Sequence, residues 1–194
     1  MAKYNRNSGK EWTSSEVKQL KSLVKENTPT RVIGLKLGRT PDSIYTKASQ
    51  ENISLKPYNT FGIDAMARYF ATFSNEDELA ELLTDDSIDQ TLILGGGSNI
   101  LFTNDFDRLV LKNEMKGINE VKEDNEYVYV KAGAGENWHQ FVLHCINRNW
   151  GGVENLSLIP GNVGASPMQN IGAYGVELND VFFSLEAYHV KEKK

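Results

Sequence analysis

Thr91-Leu92-Ile93-Leu94-Gly95-Gly96-Gly97-Ser98-Asn99 sets a short apolar run directly against three glycines and two small polar residues. Apolar residues of this kind, bounded by glycine, read as a buried strand. Glycines placed at its end let bare backbone amides approach a ligand closely, which is how a chain cradles a pyrophosphate. The stretch therefore points to a nucleotide cofactor. It holds neither G-x-x-x-x-G-K-S/T nor a G-x-G-x-x-G opening a helix, which disfavours a phosphate-binding-loop NTPase and a simple βαβ dinucleotide unit.

Working outward, 67–73 alternates as a strand, 74–83 reads as a helix with an acidic first turn, and 60–63 reads as an extended lead-in. Short strands are expected at 100–102, 109–111 and 127–132, followed by a helix over 138–147. The last residues, 186–194, read as part of a further strand. This succession is an α+β pattern. A second glycine-rich stretch covers Leu158-Ile159-Pro160-Gly161-Asn162-Val163-Gly164-Ala165-Ser166-Pro167-Met168-Gln169-Asn170-Ile171-Gly172-Ala173-Tyr174-Gly175. An irregular loop of that length inside a compact domain is usually functional.

Five segments in order carry a resemblance: 59–62 (NTFG), 92–99 (LILGGGSN), 133–138 (GAGENW), 154–161 (ENLSLIPG) and 169–177 (QNIGAYGVE). They resemble the UDP-N-acetylenolpyruvoylglucosamine reductases of peptidoglycan precursor synthesis, from about Ser54 to Val190. The resemblance implies an FAD-binding domain of the vanillyl-alcohol-oxidase type. It implies that Gly95, Gly96, Gly97, Ser98 and Asn99 take the FAD pyrophosphate, and that Gly133 and Gly135 let the backbone approach the cofactor. It further implies that Ile159, Gly161, Gly164, Ser166, Asn170, Ile171 and Gly172 wrap the flavin and adenosine portions. In that family NADPH reduces FAD, and the hydride passes to the enolpyruvyl double bond of a UDP-sugar. A serine protonates the adjacent carbon while an arginine and a glutamate stabilise the enolate. Those three residues fall beyond the matched region, so the chain alone is expected to be inactive, its substrate domain absent. No catalytic residue is assigned.

The first residues have another character. Residues 1–57 carry 11 Lys/Arg against 5 Asp/Glu, whereas 58–194 carry 10 against 21, within a net charge of −5. Such asymmetry suggests a basic first part that meets an anionic partner, or a solvated helical module. Thr13 and Glu16 form a capping box ahead of Val17, Leu20 and Val24, predicting a helix over 14–26. Thr28-Pro29 starts a second helix that Gly38 ends in a left-handed turn. Thr40-Pro41-Asp42-Ser43 starts a third, with Ile44 and Ala48 inward and Arg39, Ser43, Thr46, Lys47 and Gln50 outward. The Trp12-Thr13 pair, Gly34-Leu35-Lys36-Leu37-Gly38-Arg39-Thr40 and Ser43-Ile44-Tyr45-Thr46-Lys47-Ala48 resemble a Myb/SANT-type helix-turn-helix module. That resemblance implies DNA binding or protein contact, with Lys36, Arg39 and Lys47 on phosphates and Ser43, Thr46 and Gln50 near base edges. The expected organisation is a three-helix module over 1–56 and a truncated FAD-binding domain over 57–194.

At 40% hydrophobic and 24% charged residues the chain is of globular composition. The start has no apolar leader and no run approaches about 18 apolar residues, so a soluble, cytoplasmic protein without membrane contact is expected. The single Cys145 is expected in the core rather than as a reactive thiol. His139, His144 and His189 lack metal-ligand spacing, so no metal site is expected. The acid pairs Asp85-Asp86 and Glu123-Asp124 read as solvated turns.

Overall fold

The computed structural model describes residues 6–7, 9–25, 28, 30–40, 44, 53–83, 91–190 and 192. Helix α1 spans Ser14–Lys25. Its start is the expected reciprocal capping box: the Glu16 amide donates to Thr13 Oγ1 at 3.2 Å, and the Thr13 amide donates to Glu16 Oε2 at 3.0 Å. Helix α2 spans Thr30–Leu37 and ends at Gly38, whose φ of 65° is the left-handed conformation glycine adopts without a Cβ clash. Leu20, Leu23, Ile33, Leu37 and Ile44 form the core of this part, with Trp12 packed against them. Ile44 is helical and buried as expected. The rest of the predicted third helix, including Ser43, Thr46, Lys47 and Gln50, lies outside the described residues, as does the Asp85-Asp86 pair.

Arg39 corrects the sequence reading. It is 1% exposed rather than outward-facing. Its guanidinium donates to the carbonyls of Lys10 and Glu11, pairs with Glu16 at 3.1 Å, and lies 4.5 Å from the Trp12 ring centroid. A guanidinium so fully committed is a structural clasp and offers nothing to a phosphate.

Strand β1 is Ile53–Ser54, β2 is Met66–Phe73, β3 is Thr91–Leu94 and β4 is Phe106–Asn113. They form one sheet in the order β1-β2-β4-β3. β1 runs antiparallel to β2, and β2 and β3 flank β4 in parallel, with Phe70 and Leu92 both opposite Val110. Adjacent residues of β4 face opposite sides. Val110 joins Leu55, Ala65, Ala67, Phe70, Leu94 and Phe102, whereas Leu111 joins Phe73, the helix residue Leu79 and Leu83 just past the helix end. That helix, α3, spans Glu76–Leu82, with Asn75 as its N-cap accepting from the Glu78 amide. Because Ile53 pairs with Ala67 and Leu55 is fully buried in the sheet core, residues 53–55 belong with the sheet, ahead of the expected boundary at 56/57.

A hairpin follows, of β5 (Ile118–Glu123) and β6 (Val128–Ala132). Asp124 caps its turn by accepting from the amides of Glu126 and Tyr127, which hold its carboxyl below the usual range. Helix α4 (Trp138–Ile146) packs Trp138, Val142 and Cys145 against Val153, Leu156 and Leu178. The small hairpin of β7 (Gly172–Ala173) and β8 (Val176–Glu177) closes the second glycine-rich stretch.

Three sequence expectations change. Residues 100–102 make no strand; Phe102 plugs the sheet core with Ile100 packed against it while Leu101 is exposed, so the apolar run is placed without a ladder. Residues 60–63 are a turn, held by Asn59, which accepts from the Ile63 amide and donates to the carbonyls of Leu55 and Ile63. Of the strand expected over 186–194, the described residues 186–190 and 192 form none, and the rest lie outside the described residues; Glu186 pairs with Lys131, while Tyr188 and Val190 pack on the Phe73–Leu111 cluster. Among the described residues no helix is long and apolar enough to cross a membrane.

Candidate cofactor site

Where β3 ends, the chain turns through Gly95–Asn99 without starting a helix. Gly97 is buried with φ 66°, and a Cβ there would lie 2.0 Å from the Tyr58 carbonyl oxygen. Gly96 faces the other way: a Cβ would come within 2.9 Å of Asn162 Oδ1 and 3.1 Å of Gly161 Cα. Only glycine lets the loops 58–60 and 161–162 close on the strand end from both sides. Gly95 differs, because the nearest atom to its missing Cβ is Asn162 Cβ at 4.0 Å, which leaves room beside the strand terminus. Among the described residues no main-chain carbonyl accepts from the amides of Gly96, Gly97, Ser98 or Asn99. A bend with a left-handed glycine and uncommitted amides is the donor geometry of an anion cradle.

The loop between β6 and α4 packs on residues 114–117 and against the facing loop at Asn162 and Gly164. The Gly133 and Gly135 amides donate to Gly117 and Met115, each at 2.8 Å. A Cβ at Gly133 would lie 2.5 Å from Met115 O, and one at Gly135 would lie 2.7 Å from Met115 N. These two glycines therefore bring two stretches of main chain into contact. Asn162, which the sequence reading left off the candidate residues, joins the pieces. It is 8% exposed, donates from Nδ2 to Gly135 O at 3.1 Å, and bridges to Asn137, the N-cap of α4. An amide set between Gly161 and Gly164 was its only signal in the sequence, since a buried amide there can satisfy main-chain groups.

The second glycine-rich stretch folds as 3₁₀ turns at Val163–Ala165 and Pro167–Gln169 followed by the β7–β8 hairpin. Gly164 lies against Ala134, and its amide donates to Ala134 O at 3.0 Å. The Ser166 hydroxyl donates to Val163 O at 2.7 Å, inside its own turn. Asn170 sits at φ 42°, donates to Glu177 and accepts from the Asn179 amide. Ile159 and Ile171 pack on the Trp138 cluster, and Gly161 faces Ser98. Gly172 lies in β7, where a Cβ would meet Val176 O at 3.1 Å. The structure thus gathers 95–99, 133–135 and 159–166 about Asn162, whereas 170–172 stand one turn further along.

No Asp, Glu, Lys or Arg occurs in 95–99, 133–135 or 158–175. The donors are neutral amides, suited to a ligand held through hydrogen bonds and shape. Leu158, Met168 and Tyr174 are 75%, 85% and 88% exposed, an apolar set carried by the same loop. Cys145 is buried, and burial pushes its thiol up, away from nucleophile chemistry.

Residues 67–191 match the family described as FAD binding domain, and the chain belongs to that family. Its cofactor is FAD. The chain is 50% identical over 145 residues to the UDP-N-acetylenolpyruvoylglucosamine reductase of Flavobacterium johnsoniae, which spans 75% of this chain and 43% of that protein. It is 53% identical over 143 residues to the reductase of Amoebophilus asiaticus, spanning 73% and 42% of the two chains. The chain thus spans less than half the length of the relatives it matches. A crystal structure of the Thermus caldophilus UDP-N-acetylenolpyruvylglucosamine reductase superposes with a TM-score of 0.51 at 24% identity, over 67% of this chain and 45% of that one. That likeness establishes a shared fold.

Proposed function

We propose that the chain is the FAD-holding portion of an NADPH-dependent UDP-N-acetylenolpyruvoylglucosamine reductase, an oxidoreductase of peptidoglycan precursor synthesis acting in the cytoplasm. The observation that carries this reading is the row of uncommitted amides at Gly96–Asn99 beside the open space at Gly95, within a domain of the FAD-binding family. In this reading Gly95, Gly96, Gly97, Ser98 and Asn99 receive the pyrophosphate, and Gly161 and Asn162 form the facing wall. Ile159 and Ile171 offer apolar surface to the ring system. Gly133, Gly135, Gly164 and Ser166 hold the loops in place, and Asn170 and Gly172 set the hairpin that bounds the site. Bound FAD supplies hydride transfer between NADPH and the enolpyruvyl sugar. The side chains here bind and orient it; the acid and the enolate-stabilising groups of such a reductase lie outside the matched residues.

The core of Leu20, Leu23, Ile33, Leu37 and Ile44 ends before the sheet core begins at Ile53, which supports a separate helical unit ahead of β1. With Arg39 enclosed, no observation favours DNA as its partner.

The test is the visible spectrum of the purified, desalted protein, with the released chromophore identified. Stoichiometric FAD, or stoichiometric uptake of added FAD, is the expected result. A colourless protein that takes up none would overturn the assignment.

A further inference from the structure

The first turn of α4 holds the loop at 156–161 by four hydrogen bonds. The Trp138 indole N–H donates to Leu156 O at 2.8 Å, the Trp138 amide donates to Gly161 O at 3.0 Å, and His139 Nδ1 meets both Ser157 Oγ at 3.0 Å and the Leu158 amide at 3.3 Å. A backbone N–H only donates, so Nδ1 is the acceptor, the ring proton sits on Nε2, and the Ser157 hydroxyl is also a donor. Sharing its lone pair with a main-chain amide distinguishes His139 from a general base poised on a serine.

Between these anchors Leu158 sits at φ 63°, left-handed backbone that a γ-branched residue adopts at a cost. Its side chain is 75% exposed, so no burial of Leu158 repays that conformation. The hydrogen bond Leu158 itself makes is the one its amide donates to His139. The next residues are Ile159-Pro160-Gly161, and Gly161 packs on Ser98 of the proposed pyrophosphate loop.

We propose that His139 is a positioning residue whose neutral Nδ1 clamps the strained Ser157–Leu158 turn and so sets the wall of the FAD site at Ile159–Gly161. The inference rests on the cofactor reading above. His139→Leu removes the acceptor. His139→Asn keeps one, because the asparagine Oδ1 falls near the place of Nδ1. Leu158→Gly relieves the left-handed strain, leaving the clamp less to do.

The experiment is FAD titration of the full chain by quenching of flavin fluorescence, well below the melting temperature of each FAD-free variant. His139→Leu is expected to weaken binding about tenfold, equivalent to about 1.4 kcal/mol. His139→Asn is expected within about threefold of wild type, and His139→Leu in the Leu158→Gly background within about threefold of Leu158→Gly alone. A purely structural histidine would lower the melting temperature of His139→Leu and leave the dissociation constant unchanged; that result overturns the proposal. A tenfold loss in the Leu158→Gly background also overturns it. Should His139→Leu not fold, a tenfold weakening in His139→Asn at the wild-type melting temperature would do the same. Failure of the wild-type chain to bind FAD would instead refute the cofactor reading itself.

Discussion

Gly95→Ala and Gly97→Ala separate the fold of the glycine turn from its use. At Gly97 the new methyl would lie 2.0 Å from the Tyr58 carbonyl oxygen. Reaching an ordinary contact would force that backbone back by about 1.4 Å, and overpacking of this kind costs roughly 1–3 kcal/mol. The left-handed φ of 66° adds about 1–2 kcal/mol for a residue with a Cβ. Gly97→Ala is therefore expected to lose about 2–5 kcal/mol, a large share of the roughly 5–15 kcal/mol that holds a domain together. At Gly95 the nearest atom is 4.0 Å from the new methyl, so stability should stay within about 0.5 kcal/mol of wild type. Yet that methyl enters the space where the amides would meet the pyrophosphate, and FAD binding should weaken about tenfold or more, at least about 1.4 kcal/mol. Urea unfolding followed by circular dichroism gives the first quantity. It must be done without FAD, because ligand at a hundredfold excess over its dissociation constant adds about 2.7 kcal/mol. Flavin fluorescence quenching gives the second. Wild-type affinity in Gly95→Ala would refute the placement of the pyrophosphate, and wild-type stability in Gly97→Ala would refute the packing argument.

Arg39→Ala should destabilise the helical part by about 3–5 kcal/mol, since it strands Glu16 and two carbonyls in a closed site; urea unfolding monitored through Trp12 fluorescence would show it. The Thr13 amide and Arg39 together lower the Glu16 carboxyl from 4.5 to about 2. A depressed folded-state value contributes stability that is complete above 4.5 and is lost as pH falls through about 2, so wild type and Glu16→Gln should differ most above pH 4.5 and converge near pH 2 in acid unfolding. Cys145 should resist a thiol reagent in the native protein and react fully in urea, with equal native and denatured rates counting against its burial. Trp138→Phe leaves the Leu156 carbonyl without its donor and should cost about 1–3 kcal/mol in thermal unfolding, against no change if water replaces the bond.

Much of the fold was legible because its signals are local. The strand at Thr91–Leu94, the capping box at Thr13 and Glu16, and the left-handed Gly38 each depend on neighbours within four residues, and each stands where the sequence puts it. Strand β5 was missed because five of its six residues are exposed and its pattern is charged; pairing with β6 makes it a strand. Residues 100–102 failed in the opposite sense, since their apolar side chains serve to insert Phe102, with Ile100 beside it, into a core rather than to form a ladder.

The sequence by itself determined that a glycine-rich turn follows an apolar strand and that the glycine-rich loops carry no charge, because glycine, small polar residues and missing charges are properties of the residues themselves; that the strand lies at the sheet edge with Ile93 46% exposed, rather than buried, came only with the fold. Only the tertiary structure decided what each glycine is for. Gly97 and Gly133 admit another stretch of main chain, Gly95 leaves space, and the distinction rests on atoms tens of residues away in sequence. The same holds for charge. Arg39 has the composition of a phosphate ligand, and its burial against Trp12, Glu16 and two carbonyls makes it a clasp, since a guanidinium can donate only where its partners stand.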